Sequence, residues 1–161
     1  CYSWNIVNSA KAGDRQRFLE GMYSLFAGAI SNDTYINGEH RNAMYGTVFV
    51  APLMTWCVRQ AVIDDEQKDG ELHLLRLVPL AWLSAKEDTV FENMPTIYGP
   101  VDLRFRLSEG PAPQLQITFS GKWRGQAPKM VLHRPPLEGL ADVTVNGTPV
   151  EAADQVVLTA E

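Results

Sequence analysis

Cysteine, histidine and metal-ligand patterns are scarce in this sequence, and the shortage excludes several kinds of site. The chain of 161 residues has only 2 cysteines and 3 histidines. Cys1 and Cys57 form no C-x-x-C pair and no ligand cluster with the histidines, so we expect no metal site and no cofactor. Cys57 lies in an apolar helical pattern, which predicts a small core residue.

Basic clusters and long apolar runs are also missing. The formal charge is −5, from 14 basic and 19 acidic residues spread along the chain, which argues against a nucleic-acid partner or an anionic membrane surface. No run of 18 apolar residues occurs, so no transmembrane helix is expected. A sugar or another neutral substrate is compatible with this charge. No Ser-His-Asp order and no phosphate-cradling glycine loop occurs either.

The beginning of the sequence suggests a piece of a longer protein. It opens CYSWNIVNSAKAGD, without an initiator methionine and without a visible signal peptide. We expect a fragment or a processed product. The compartment stays open among bacterial cytoplasm, periplasm and the outside of the cell.

The first part of the chain has helical patterns. Asp14 can cap a helix, because its carboxylate accepts from free N–H groups of the first turn. The next segment has apolar residues at helical spacing, which predicts one buried face: Phe18, Leu19, Met22, Leu25, Phe26, Ala29 and Ile30. Gly21 and Gly28 are poor interior helix residues, so we expect close approach by a neighbouring helix.

A polar stretch at residues 31–41 predicts a loop, and a second apolar segment runs over residues 42–63. This segment is apolar on more than one side, which is typical of a helix buried in a larger helical assembly. Pro52 is expected to kink it or to start a new helix. Two such helices either lie on the strands that follow or belong with further helices.

The second part of the chain has strand patterns. Residues 101–107 alternate between apolar and polar side chains, and residues 115, 117 and 119 continue the alternation, which predicts half-buried antiparallel strands. Asn146-Gly147 is a strong hairpin signal. With strands expected at 71–78, 89–92, 129–133 and 155–159, the series predicts a β-sandwich of seven or eight strands.

The resulting fold prediction is α+β. Residues 1–69 form a helical segment and residues 70–161 a C-terminal β-sandwich. Residues 70–105 are the expected joint between them.

Three motifs carry a resemblance to a known family: LHLLRLVPLAWL at 72–83, MPTIYGPV at 94–101 and VTVNGTPV at 143–150. Their order resembles the C-terminal part of bacterial six-hairpin glycosidases, the (α/α)6-toroid enzymes such as α-L-rhamnosidases. The likeness covers residues 12–150. It implies the last helices of a toroid followed by a β-sandwich that supports the catalytic barrel.

The resemblance also implies a function. A complete enzyme of this kind cuts a glycosidic bond with two carboxylates. In such enzymes the general acid lies upstream of this sequence, so the chain alone is expected to be catalytically incomplete, and no catalytic residue is assigned. The expected partners are a carbohydrate substrate and the remainder of the parent enzyme.

Glu39 and His40 are the first candidates for substrate binding. The segment INGEHRNAMYG around them is similar to a late histidine pattern of rhamnosidases, and alternate loops of a toroid open onto the substrate cleft. A carboxylate at Glu39 could hold a sugar hydroxyl or tune His40. The alternative is a solvated polar turn.

Two tryptophans are the other candidates. Trp82 could stack on a sugar ring, but a core tryptophan at the junction between helices and sandwich is the favoured interpretation. Trp123 lies between Lys122 and Arg124 in a glycine-bounded loop, and it is the better candidate if the sandwich itself binds carbohydrate. Trp4 and Trp56 are predicted to be core residues.

The remaining polar residues receive a structural interpretation. His73 and His133 lie in strand patterns without a partner motif. Glu87, Asp88 and Glu92 could do acid/base work as a cluster, but a solvated loop is favoured.

A second hypothesis from another class is a self-standing, non-catalytic carbohydrate-binding or protein-interaction module. A fragment should leave a large apolar face on its helices, whereas a complete module should cover that face with its own strands.

Overall fold

The fold is described from a computed structural model. It covers residues 3–31, 38–40, 43–45, 49–83, 86–108, 113–140, 142–151 and 153–158, without the side chains of residues 3, 39, 40, 43–45 and 142.

The described part has three α-helices: α1 (Ser3–Ala12), α2 (Arg15–Gly28) and α3 (Val50–Val62). The predicted cap of α2 is confirmed, since Oδ1 of Asp14 accepts a hydrogen bond from the backbone N of Arg17 at 3.1 Å. Gly13, with a φ of 72°, makes the turn between α1 and α2. The predicted inner face of α2 is buried at Phe18, Met22, Leu25 and Ala29. Of the other residues predicted for this face, Leu19 and Phe26 are only half-buried and Ile30 is exposed, because they lie at the edge of the stripe or beyond the end of the helix.

A close contact between α1 and α2 explains one of the two helical glycines. A Cβ added to Gly21 would lie 2.6 Å from Cγ1 of Ile6. The two helices can therefore approach only because residue 21 has no side chain.

The exposed position of Trp4 corrects the prediction of a core tryptophan. α1 buries Ile6 and Ala10, whereas Trp4 is 73% exposed. Successive residues turn by about 100° around a helix, so Trp4 lies about 200° away from Ile6. Its side chain therefore points away from the core that buries Ile6.

The segment between α2 and α3 differs from the prediction. Gly38–His40 (β1) and Ala43–Tyr45 (β2) form an antiparallel hairpin, where a loop and the start of a long helix were expected. α3 begins only at Val50, and Pro52 lies in its first turn. Proline is tolerated there because a first-turn N–H has no partner within the helix. Of the two expected effects of Pro52, starting a helix is the one observed.

The remaining strands form two sheets, which resemble a β-sandwich. A four-stranded sheet has the order β11-β8-β4-β3, and a five-stranded sheet has the order β10-β9-β7-β6-β5. The strands are β3 (Ile63–Asp64), β4 (Glu71–Leu74), β5 (Thr89–Met94), β6 (Val101–Leu107), β7 (Gln114–Gly121), β8 (Lys129–His133), β9 (Asp142–Val145), β10 (Thr148–Val150) and β11 (Gln155–Leu158). The α+β class is thus observed.

Two neighbouring pairs in these sheets are parallel, namely β4 with β8 and β7 with β9. The other pairs are antiparallel. Each parallel pair joins two strands that are not consecutive in the sequence. The C-terminal strands are therefore divided between the sheets, with β9 and β10 in the five-stranded sheet and β11 in the four-stranded sheet.

The alternating patterns correspond to strands with one buried face. Val101, Leu103 and Phe105 of β6 are buried, as are Leu115 and Ile117 of β7. The predicted hairpin also forms: β9 and β10 are joined by two residues with positive φ, 51° at residue 146 and 81° at residue 147.

The first predicted strand is shorter than expected. β4 ends at Leu74 because the next residue, Leu75, has a φ of 57°, outside the extended region of a strand, although its N–H still donates to the carbonyl of Val62 at 2.9 Å in register with β3. Residues 75–78 therefore turn back toward α3 instead of continuing the sheet.

The MPTIYGPV segment joins the helices to the sheets. The backbone N of Ile97 donates to Oδ2 of the buried Asp65 at 2.7 Å, next to the end of α3. The hydroxyl of Tyr98 accepts from the N of Gly70 at 2.8 Å. A Cβ on Gly99 would lie 2.1 Å from the carbonyl oxygen of Lys122, so only glycine fits there.

The buried core is continuous between helices and sheets. Ile63 is both the C-cap of α3 and the first residue of β3, so no linker separates the two layers. The proposed boundary between residues 69 and 70 stays a prediction.

Candidate functional site

The first pair of predicted site residues lies in the short hairpin. Glu39 and His40 belong to β1, where His40 pairs with Ala43 of β2. Their side chains lie outside the described residues. Their substrate-facing role stays a prediction.

Trp82 lies at the junction of the helices and the sheets. It ends a short 3-10 helix, Leu80–Trp82, and packs partly buried against the core. Its ring centroid is 6.2 Å from that of Phe91 on β5, and its carbonyl accepts from Oγ1 of Thr89 at 2.6 Å. This position fits the favoured packing role, and its stacking on a sugar stays a prediction.

Trp123 lies in the loop between β7 and β8, and its indole rests on a glycine. A Cβ on Gly121 would lie 2.3 Å from Cζ2 of Trp123, so the ring lies directly against the strand backbone. The ring of Phe119 is 6.2 Å away, tilted by 32°. The loop is held by the N of Arg124, which donates to the carbonyl of Tyr98 at 2.8 Å.

The indole of Trp123 lines a cleft of about 440 Å³. Its walls come from both sheets, and the lining residues described are Phe119, Ser120, Gly121, Trp123, Met130, Val145, Asn146, Thr148, Val150, Val157 and Leu158. None of these is ionisable. Trp82 is not among them, so the two candidate tryptophans do not share this cleft.

Asn146 is a structural residue of this cleft. Its Oδ1 accepts from the N of Phe119 at 2.8 Å, and its Nδ2 donates to the carbonyl of Phe119 at 3.2 Å. Both ends of the amide are therefore used to fasten the β9–β10 turn to β7.

A pair of histidines was missed from the sequence. Nδ1 of His73 on β4 lies 2.8 Å from Nε2 of His133 on β8. Nε2 of His73 is 3.2 Å from Oε2 of Glu71, without the alignment of a hydrogen bond. Close by, Asp64 pairs with Arg76 at 2.6 Å.

These surroundings favour neutral imidazoles. Burial lowers the pKa of His73, against the opposing charges of Asp64 and Glu71. Burial, the neighbouring His73 and the charge of Arg76 lower the pKa of His133 to about 4. The more distant Arg15 acts in the same direction, and Asp64 opposes it.

The parallel pairing of β4 and β8 creates this contact. His73 stands opposite Val131, so His133, two residues further on, lies on the same face. The separation of 60 positions between the two histidines hides the contact from local patterns.

The predicted acidic cluster lies at the surface. Asp88 pairs with Arg104 at 3.1 Å and with Arg106 at 3.5 Å, and all three side chains are substantially exposed. Glu87 and Glu92 are exposed as well. This arrangement is that of a solvated surface.

Within the described part of the chain, no three side chains of histidine, cysteine, aspartate or glutamate are grouped to hold a metal ion. No helix described there is long and apolar enough to cross a membrane. Comparison of the chain with protein-family models, curated proteins and solved structures found no match.

Proposed function

We propose that this chain is the C-terminal part of a glycoside hydrolase, in which its two sheets support a helical catalytic barrel of the (α/α)-toroid type. The resemblance of the motifs at 72–83, 94–101 and 143–150 supplies the enzyme class. In this proposal the helices α1 to α3 are the last of the barrel. The hairpin carrying Glu39 and His40 lies near the substrate cleft.

One surface feature carries the proposal. An open, largely apolar groove of about 730 Å³ runs between the outer face of α2 and two loops of the sheets. Leu19 and Tyr23 form its helical side, and Leu80 and Pro136 form its other side. Tyr23 is 45% exposed and Leu80 is 39% exposed. The groove is rimmed by the polar side chains of Arg15, Gln16, Glu20 and Ser24, and its apolar floor could receive an apolar side chain of a neighbouring helix.

The ends of the helices support the same interpretation. Trp4, at the start of α1, and Phe49, just before α3, are large apolar residues with more than half of their surface exposed. The inner stripe of α2 is covered by the chain itself, as the second hypothesis of a self-standing module expects, so the uncovered surface available to a barrel is confined to the outer side and the helix ends. A neighbouring barrel helix would cover the groove.

Buried ion pairs make the helical layer a fixed platform. Arg76 pairs with Asp64 of β3 and also donates to the carbonyl of Ala10 at the end of α1. Arg59 of α3 pairs with Asp65. A barrel that packs on the helices would therefore be held in a constant position relative to the sheets.

Two measurements on the isolated chain test the proposal. With a panel of aryl glycosides we expect no turnover, because the general acid is supplied elsewhere. We expect the groove to bind an apolar fluorescent dye or to cause self-association in sedimentation velocity. The double variant Tyr23→Ser/Leu80→Ser should remove either effect.

A matched control is Val90→Thr, which removes an apolar side chain of similar exposure, 42%, from strand β5. It should leave dye binding and sedimentation unchanged. Turnover by the isolated chain would contradict the fragment proposal. So would a chain that stays monomeric and binds no dye.

A further inference from the structure

The cleft beside Trp123 has the size and the walls of a small-molecule site. One wall belongs to β7, β9 and β10 and the other to β8 and β11, so the cleft opens between the two sheets. Its volume of about 440 Å³ lies within the usual range for ligand sites. We propose that this cleft binds an uncharged pyranoside, with the indole of Trp123 against the C–H face of the sugar ring.

The indole is oriented before any ligand arrives. Gly121 supports it from the strand, since a Cβ there would lie 2.3 Å from Cζ2 and 2.4 Å from Cη2 of Trp123. Phe119 flanks it at 6.2 Å. A ring fixed in this way loses little freedom on binding, which favours affinity for a flat apolar face.

The uncharged lining of the cleft favours an uncharged ligand. No ionisable side chain is among its described lining residues, so a charged ligand would lose hydration without gaining an opposite charge. The hydroxyl group of Thr148 can exchange hydrogen bonds with a ligand. The hydroxyl of Ser120 lies on the outer face of the sheet, where it donates to Asp102 at 3.2 Å, because successive residues of a strand point to opposite faces.

The opposite wall is apolar. Met130 and Leu158, which face each other on β8 and β11, contribute it, so the cleft combines aliphatic surface, an aromatic face and the hydroxyl group of Thr148. An uncharged pyranoside has the matching combination of C–H surface and hydroxyl groups. This inference does not rest on the proposed function, because it concerns the sheets alone. Absence of turnover leaves it unchanged.

The test uses the full 161-residue chain labelled with ¹⁵N and methyl glycosides of uncharged hexoses and 6-deoxyhexoses as probes. The four tryptophans give four indole N–H signals. The signal of Trp123 should move saturably with a Kd on the order of 1 mM. The signals of Trp4, Trp56 and Trp82 should stay in place. A methyl glucuronide should bind more weakly.

Two glycine variants of the same loop region form a matched pair. Gly121→Ala should displace the indole and weaken binding about tenfold. Gly125→Ala should leave binding unchanged, because a Cβ there meets nothing within 4 Å. Thermal melts establish that each variant is folded.

If Gly121→Ala does not fold, Trp123→Phe and Trp123→Ala take its place, measured by ligand-observed saturation transfer. Phenylalanine should retain binding that alanine loses. The inference is overturned if no probe in the panel moves the Trp123 signal saturably. It is also overturned if the glycine variants weaken binding equally, or if Trp123→Ala binds as the wild type does.

Discussion

The contact between His73 and His133 should make the stability of the fold depend on pH. The perturbation is acidification from pH 7 to pH 4. Between neutral rings, one imidazole nitrogen donates and the other accepts across 2.8 Å. When both rings are protonated, both nitrogens carry hydrogen and the bond is lost. Two positive charges then stand with ring centroids 5.1 Å apart.

The magnitude follows from the lowered pKa of His133. In the unfolded chain a histidine has a pKa of about 6.5, whereas in the fold burial lowers the pKa of His133 to about 4. The unfolded state therefore binds the proton first, and stability falls as the pH falls from 6.5 to 4. The gap corresponds to about 3 kcal/mol at most. His73, with a pKa also lowered by burial, acts in the same direction.

Another nearby group, Glu71, titrates in a lower window that overlaps only the acidic end of the histidine window. Lys68 and Lys129 lower the pKa of Glu71 to about 2. Since the folded pKa is the lower one, its contribution is present above the unfolded pKa and is lost as the pH falls toward 2. The loss between pH 6.5 and pH 5, above the window of Glu71, can thus be assigned to the histidines.

The assay is urea denaturation at several pH values between 7.5 and 4, for the wild type and for His133→Gln. Glutamine cannot titrate, so the variant should lose less stability than the wild type over this range. Titration of the imidazole signals by NMR gives the pKa directly. A wild-type free energy of unfolding that is constant between pH 7 and pH 4.5, or a His133 pKa above 6, would refute the reasoning.

Two further predictions concern packing and charge. Asp65→Asn should destabilise the fold by about 2 kcal/mol, because Arg59 loses its buried carboxylate and keeps only the more exposed carboxylate of Glu66. The exposed counterpart Asp88→Asn should cost less than about 1 kcal/mol in the same denaturation assay; equal losses would contradict the importance of burial. Gly21→Ala should destabilise by about 1 kcal/mol, although alanine favours a helix, because its Cβ collides with Ile6. A double-mutant cycle with Ile6→Ala should show that the two substitutions are coupled, and independent effects would contradict the contact.

Local features of the fold could be read from the sequence because their causes are local. The alternation over residues 101–107 reflects one buried face of a strand, and Asp14 caps α2 through a bond to a residue three positions away. The residues at 146 and 147 form their turn through their own backbone preferences.

Other features depend on partners far away in the sequence. β4 ends where Leu75 takes a positive φ that its residue type does not favour, and the parallel pairing of β4 with β8 is set by the whole sheet. The contact of His73 with His133 follows from that pairing. For the candidate cleft, Trp123 could be singled out from its loop, but its support by Gly121 and the neutral walls required the arrangement of both sheets.

The direct passage of α3 into β3 has a consequence for dividing the protein. A cut between residues 69 and 70, where the composition changes, would separate β3 from its neighbour β4. The backbone groups of β4 on that side would then form a new sheet edge, and Arg76 would lose the carboxylate of Asp64. Since an uncovered edge pairs readily with other chains, the isolated second half would be prone to aggregate. The two-residue strand β3 thus pairs with the edge of β4 that would otherwise be open to other chains.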